Sequence, residues 1–459
     1  MTELTISGTR RDPVDGARRR PTWRSFAIVA AAAVVLAGCS GQPPIDGAAA
    51  APRVPAQAPS AAGEAPAREP TATSSVEPSE PSSVEPLPTP AIAVDPVQAP
   101  WTRALDQLVT GPHVSVAVGV GDRIVYAHGG PIRRVPASGQ KLLTSIAALD
   151  RFGPTHRLPT IVAARGRPRD GVVRGDLWLV GGGDPELGAP RLGTLADALA
   201  AAGLRRVTGA VAGDTEAFSR RWWAPGWVRG LSRHYVTRPT ALVFDGNIAA
   251  TPELAAARVL EDVLEDRGIV VDGGARSGDA PERVREIARV GSAPLRDLLA
   301  RQNHASSNLH AEVLLRALGA DDGDPTTAGG ADVVEEIVGD AGYAVRVRDG
   351  SGLSHGNAVS AVDLTSLLLV AASEPWAPAF EASLPAPGQG TLRGRLLGVP
   401  VRAKTGTLFT VPCSTLAGYV RDADGRRVAF AVLSDGIPKG SSIAVEDAVV
   451  RLLASSAVA

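Results

Sequence analysis

The sequence predicts an α/β protein: an antiparallel sheet assembled from both ends of the folded region, flanked by helices and interrupted by an insert. Three observations carry this. Strand-like pairs appear near residue 113 and again near residue 415, helical stretches flank each pair, and the region between them is made of short strand-like pieces and glycine-rich turns.

Taken in order, Trp101–Val109 reads as a helix. His113–Val120 and Arg123–Ala127 alternate as hairpin strands around the Gly121-Asp122 turn. Lys141–Leu149 is an apolar helical stretch. From Arg157 to about Arg285 the pattern changes, and residues 157–285 are expected to form an inserted β-rich domain that splits the main domain into 101–156 and 286–459. Within the insert, the Gly181–Gly183 run lacks the Gly-Lys-Ser/Thr that a phosphate loop requires. Asp184 and Asp214 sit in turn contexts. Trp222, Trp223 and Trp227 suit either a core or a groove for a large substrate, with core packing favoured. Thr415–Arg421 and Arg427–Leu433 are strand-like around the Asp422–Gly425 turn, and Ser442–Ala454 is helical, with apolar residues from Ile443 to Leu453. The central sheet is expected to bury one face against the terminal helices.

Composition narrows the function. At 459 residues and 44% hydrophobic, the chain can bury a large core. A net charge of −1 argues against a general nucleic-acid binder. Only two cysteines are present, Cys39 and Cys413, which excludes a disulfide-rich fold and a four-thiolate zinc site. The seven histidines show no zinc-hydrolase spacing, and no metal or cofactor is expected. Of 47 basic residues only three are lysines: Lys141, Lys404 and Lys439. A chain that uses Arg wherever plain positive charge suffices marks each lysine for attention.

The N-terminus reads as an export signal. Residues 1–24 are polar and arginine-rich, and Phe26–Ala37 is an apolar run of 12 residues, too short to span about 30 Å of hydrocarbon but suited to a signal-peptide core. It ends in Leu36-Ala37-Gly38-Cys39, which resembles the bacterial lipobox, in which the cysteine thiol is acylated. Residues 1–39 are therefore expected to be a lipoprotein signal, with Cys39 as the lipidation site. Residues 40–100 hold 14 prolines and no aromatic, so they are expected to form a disordered Pro/Ala-rich tether. A lipid anchor, a spacer and a folded domain place the protein on the extracytoplasmic face of the membrane, with a substrate in the envelope.

Three motifs carry the chemistry. Ser138-Gly139-Gln140-Lys141 enters a helix; Ser138 alone would be an N-cap, but Lys141 three residues later shares its helical face. An amine desolvated there loses basicity until its neutral form is accessible, which a guanidinium never does. Ser306-Ser307-Asn308 precedes a second apolar helix. Lys404-Thr405-Gly406-Thr407 reads as a strand with Lys404 and Gly406 on one face, where glycine admits a close approach. Lys439, in Ile437-Pro438-Lys439-Gly440, reads as a surface loop. Cys413 reads as a buried thiol or a modifiable one.

In this order the three motifs resemble those of the penicillin-binding protein and serine β-lactamase superfamily. The flanks Gly181–Leu187, Asp349–Ser354, Gly390–Leu392 and Leu416–Val420 resemble the D-alanyl-D-alanine carboxypeptidase/endopeptidase family, which carries a domain inserted between the first two motifs. The 168-residue gap from Ser138 to Ser306 agrees. The likeness covers Trp101–Ala459, with Ser307 where the family commonly has Asp and His355 where Arg is usual. Composition and signal look actinobacterial.

The resemblance implies a transpeptidase-like fold with a helical subdomain, and a serine D,D-peptidase acting on peptidoglycan stem peptides through an acyl-enzyme. It assigns Ser138 as nucleophile, Lys141 as base, and Ser306 with Lys404 as the proton path to the leaving amine. Asn308, Thr405, Gly406 and Thr407 would bind substrate, and the backbone N–H groups of Ser138 and Thr407 would form the oxyanion hole. Cross-linked peptides are a further substrate the family implies, and β-lactams are the expected inhibitors. Two other readings stay open: a β-lactamase or esterase of the same superfamily, and a non-catalytic envelope protein that binds peptidoglycan.

Overall fold

A five-stranded antiparallel sheet organises the chain, in the order Val401–Leu408, Cys413–Arg421, Arg427–Asp435, Val114–Val120, Arg123–His128. The computed structural model describes residues 94–228, 235–408 and 410–458. The expected signal peptide, Cys39 and the tether as far as residue 93 lie outside the described residues.

Both faces of this sheet are buried. On one, Trp101 and Leu105 of the Pro100–Leu108 helix and Val449, Val450 and Leu453 of the Lys439–Ala454 helix pack on Val116, Val118, Phe430 and Val432. On the other, Leu364, Leu367 and Leu368 of the Ala361–Ser373 helix cover Ala117, Ala417, Ala431 and Leu433. That second core continues into a helical layer of Gln140–Phe152, Leu295–Ala305, Asn308–Asp322 and Thr327–Asp340. The one-faced burial expected from sequence is thus half of the arrangement. Along these strands the alternation is large against small, Val116 against Ala117 and Phe430 against Ala431, so neither face is polar.

A second sheet runs Ala275–Ser277, Val211–Asp214, Leu177–Gly181, Pro159–Ala164, Arg285–Gly291. Its first three strands are parallel and the remaining pairs antiparallel. The Ala189–Ala201 and Pro252–Glu265 helices bury Leu192, Leu195, Leu199, Leu260 and Leu264 against Val162, Leu177, Leu179 and Val211. Its last strand passes the boundary expected at residue 285.

Several local expectations meet specific contacts. Asp184 Oδ1 accepts from the Glu186 amide at 3.0 Å, and Asp214 accepts from the Glu216 and Ala280 amides at 2.7 and 2.8 Å, so both serve turns. Residues before Trp101 are already ordered against the sheet: the Asp95 and Val97 amides donate to the Ile124 and Val125 carbonyls at 2.9 and 3.0 Å. Lys439 is the first residue of the last helix rather than part of a loop, because Pro438 supplies a fixed φ at the helix entrance.

Candidate active site

The first motif folds into a clamped turn. Ala137–Gly139 forms one 3₁₀ turn ahead of the Gln140–Phe152 helix. Ala137 sits at φ +46°, in the left-handed region that costs a non-glycine residue of order 1–3 kcal/mol. Two neighbours hold it there. Thr415 Oγ1 donates to the Pro136 carbonyl at 2.8 Å, and Gly352, at φ +88°, passes so close that a Cβ would fall 1.7 Å from the Ala137 carbonyl oxygen. Ser138 caps no helix; its Oγ faces Lys141 instead.

Lys141 is fully buried, and its Nζ donates to Ser138 Oγ at 3.0 Å, Asn308 Oδ1 at 2.7 Å and the Ser351 carbonyl at 2.6 Å. Burial lowers its pKa to about 7, against the opposing pull of the Asp349 and Glu312 carboxylates. When the amine is neutral it has two donors and one lone pair. The Ser351 carbonyl and Asn308 Oδ1 can only accept, so the lone pair is left facing Ser138, whose hydroxyl alone can turn donor.

The second and third motifs meet in the same way. Ser306 ends the Leu295–Ala305 helix at φ +52°, and its Oγ accepts from Lys404 Nζ at 2.9 Å; Lys404 also donates to the Thr405 carbonyl at 2.6 Å. Burial, with the Lys141 charge added, holds Lys404 well below the ordinary lysine value. Ser307 caps the Asn308–Asp322 helix, accepting from the His310 amide at 3.3 Å, a cap that Asp would serve equally. Asn308 thereby projects to Lys141, and its Nδ2 donates to the Tyr235 carbonyl at 2.8 Å.

Gly406 lets the Val401–Leu408 strand run against the nucleophile turn. A Cβ there would lie 2.8 Å from the Pro136 carbonyl oxygen, 2.9 Å from the Gly139 nitrogen and 3.0 Å from the Ser138 nitrogen. Thr405 and Thr407, on the other face of the strand, line a cleft of about 430 Å³ with Ser138 and Ser306. All eight catalytic and substrate-binding residues expected from sequence are thus gathered around Ser138. Lys439 borders the same cleft.

A buried polar loop behind the lysine was not legible as machinery. Asp349 accepts from the Gly352 and Ser354 amides at 2.8 and 2.7 Å, from Asn357 Nδ2 at 2.7 Å and from Trp227 Nε1 at 2.7 Å. Glu312 Oε1 accepts from the Gly350 and Ser351 amides at 3.1 and 2.8 Å, which aims the Ser351 carbonyl at Lys141. Burial beside Asp349 pushes Glu312 up to about 8. The available signal was positional: Glu312 lies four residues after Asn308, on one helical face, between the apolar Ala311 and Val313. Among the tryptophans, Trp227 is buried, whereas Trp223 is exposed and stacks edge-on against it at 5.5 Å. Cys413 is buried with Trp227, Leu353 and Leu408 in a small apolar cluster, and burial lifts its thiol to about 11.

A family model described as D-Ala-D-Ala carboxypeptidase 3 (S13) matches residues 103–251 and 248–456. The chain belongs to that family. Its relatives include a D-alanyl-D-alanine carboxypeptidase of Actinomadura sp. (strain R39), 32% identical over 451 residues, covering 77% of this chain and 82% of the relative. A carboxypeptidase of Mycobacterium tuberculosis is 30% identical over 398 residues, covering 76% of this chain and 82% of its own length. The crystal structure of penicillin binding protein 4 from Haemophilus influenzae superposes with a TM-score of 0.68 at 22% identity, over 77% of this chain and 99% of that one, and shares the fold. This S13 member is a serine-type D-Ala-D-Ala carboxypeptidase with a penicillin-binding-protein-like fold, and such a cell-wall enzyme works outside the cytoplasm, in the envelope. Among the described residues no helix is long and apolar enough to cross a membrane.

Proposed function

We propose that Ser138 is the nucleophile of this S13 D,D-peptidase and Lys141 its general base, a reading carried by the 3.0 Å contact between a buried, weakly basic amine and the serine hydroxyl. Ser138 Oγ attacks the carbonyl carbon between the last two D-alanines of a stem peptide while Lys141 Nζ takes its proton. The carbonyl oxygen becomes an oxyanion held by the backbone N–H groups of Ser138 and Thr407. The C–N bond then breaks, and a proton passes through Ser306 and Lys404 to the departing D-alanine amine. Asn308 holds the substrate amide; Thr405 and Thr407, with the Lys404 charge behind them, bind the terminal carboxylate. Gly406 provides the close passage of the strand. Water releases the acyl group, and a cross-linked peptide is cut by the same steps.

A β-lactam acylates Ser138 in the same manner, but its leaving group stays attached and obstructs water. In this reading Cys39 carries a lipid, residues 40 to about 93 are the spacer, and the second sheet marks an insert between the first two motifs. The test is mass spectrometry of the full chain incubated with a disaccharide pentapeptide and, separately, with penicillin. Loss of one alanine and a penicillin adduct on Ser138, both absent in Ser138→Ala, are expected. An adduct without alanine loss would mean a live site with another substrate, and neither event would mean a binding protein.

A further inference from the structure

A groove of about 280 Å³ opens at one end of the main sheet, where the Val401–Leu408 strand begins, the Cys413–Arg421 strand ends and the Arg427–Asp435 strand begins. Arg402, Arg421 and Arg427 border it, and Glu381 is the one acidic residue among its described lining residues. None of those lining residues borders the cleft at Ser138. We propose that this groove is a second binding site, for a phosphate monoester whose dianion the three guanidinium groups hold together; it is independent of the D,D-peptidase reading above.

Strand register puts the three charges side by side. Arg421 lies directly opposite Arg427, and Arg402 directly opposite Tyr419. Cross-strand partners share a face, as do residues two apart, so Arg402, Tyr419, Arg421 and Arg427 all lie on one face of the sheet. Like charges directly opposite each other destabilise a strand pair. An anion seated between them turns that repulsion into attraction. Tyr419 is the buried floor beneath them: its hydroxyl donates to the Leu368 carbonyl at 2.6 Å, and the Arg427 guanidinium lies 5.7 Å from its ring centre.

Each arginine is positioned without being neutralised. Arg402 Nη1 donates to the Leu384 carbonyl at 3.1 Å, Arg421 Nη1 to the Gly425 carbonyl at 3.1 Å and Arg427 Nη2 to the Ala372 carbonyl at 3.0 Å. A carbonyl oxygen takes an N–H but carries no net charge, and a guanidinium has further N–H groups to offer. The Glu381 carboxylate stands 3.4 Å from Arg427 Nη1, while the neighbouring Asp422 is engaged in its own turn with Arg426. Three positive charges against one negative match the roughly −1.5 to −2 of a phosphate monoester near pH 7 better than the single charge of a carboxylate. The groove exceeds a phosphate group in size, and Pro387, Val399 and Pro400 give the rest of it an apolar wall for an organic substituent.

The experiment titrates the full chain by calorimetry with glucose 1-phosphate, inorganic phosphate and acetate at matched ionic strength. It also sediments the chain with phosphatidylcholine vesicles, with and without phosphatidic acid. The sugar phosphate is expected to bind with a Kd on the order of 1 mM, and acetate at least about tenfold more weakly. Arg421→Gln and Arg427→Gln should each weaken the sugar phosphate about fivefold. Affinity should also fall from about pH 7.5 to about pH 5, as the phosphate gains a proton while the arginines keep their charge. Arg421→Gln relieves the like-charge opposition, so its melting temperature without ligand should equal or exceed that of the wild type, which separates lost binding from lost folding. Cosedimentation that requires phosphatidic acid and is lost in the same variants assigns the monoester to a lipid headgroup; calorimetric binding without cosedimentation assigns it to a soluble ester. No binding in either arm, acetate equal to the sugar phosphate, or affinity unchanged in both variants overturns the site.

Discussion

Trp227 Nε1 donates a 2.7 Å hydrogen bond to Asp349 Oδ2, tying a segment between the first two motifs to the loop whose Ser351 carbonyl holds Lys141. Both residues are buried, so the bond is not exchanged with water. Trp227→Phe keeps the ring but leaves a buried carboxylate oxygen short of a donor, a loss of about 1–3 kcal/mol. Thermal unfolding should register that loss. Penicillin acylation should slow several-fold as Ser351 loosens, and an acylation rate equal to wild type would detach Trp227 from the site.

Gly406→Ala tests the close passage of strand and turn. The added methyl meets backbone atoms of Pro136, Ser138 and Gly139 at 2.8–3.0 Å, and none of these can swing aside as a side chain would. Displacing the strand by a fraction of an ångström moves the Thr407 amide relative to Ser138. The expected result is about a hundredfold loss in acylation with a stability loss of about 1–3 kcal/mol. Stopped-flow acylation and calorimetry separate the two.

The lowered pKa of Lys141 fixes the direction of the activity profile. Acylation by penicillin should rise as pH passes upward through about 7, where the amine becomes neutral, and level off above it. Lys141→Arg should fold and show no acylation at any pH, since the guanidinium stays protonated. A pH-independent rate in the wild type would remove Lys141 as the base.

Glu312 fixes the direction of stability. Unfolded, its carboxyl releases a proton near 4.5; folded, it holds the proton up to about 8. Between these values the folded state binds more protons, so stability falls as pH rises, by at most about 1.4 kcal/mol per pH unit. From pH 5 to about 6 Lys141 is protonated in both states and adds no slope. Glu312→Gln retains an oxygen for the Gly350 and Ser351 amides and should flatten the urea midpoint over that range.

Cys413 should resist alkylation by iodoacetamide at pH 8 in the native protein and react once unfolded, because burial both blocks the thiol and holds it protonated up to about 11. Rapid native labelling, read by mass spectrometry, would contradict the packing of its cluster with Trp227 and Leu353.

What the sequence determined by itself was whatever depends on short range. The turn carrying Ser138 and Lys141, the cap at Ser307 and the strand with Gly406 opposite its threonines are each set within a few residues, and the rarity of lysine singled out Lys141 and Lys404. The strand pairs at the two ends of the folded region were visible for the same reason. Tertiary structure decided what depends on residues far apart in the chain. Lys141 is a weak base because Asn308 and Ser351 close over it, 167 and 210 residues away, and no local pattern records that desolvation. The same holds for Asp349 and Glu312: no local pattern records their burial, and burial makes their carboxylates the frame of the site. Lys439 read as part of a surface loop for the same reason: only folding brought its helix to the cleft that Ser138 opens onto.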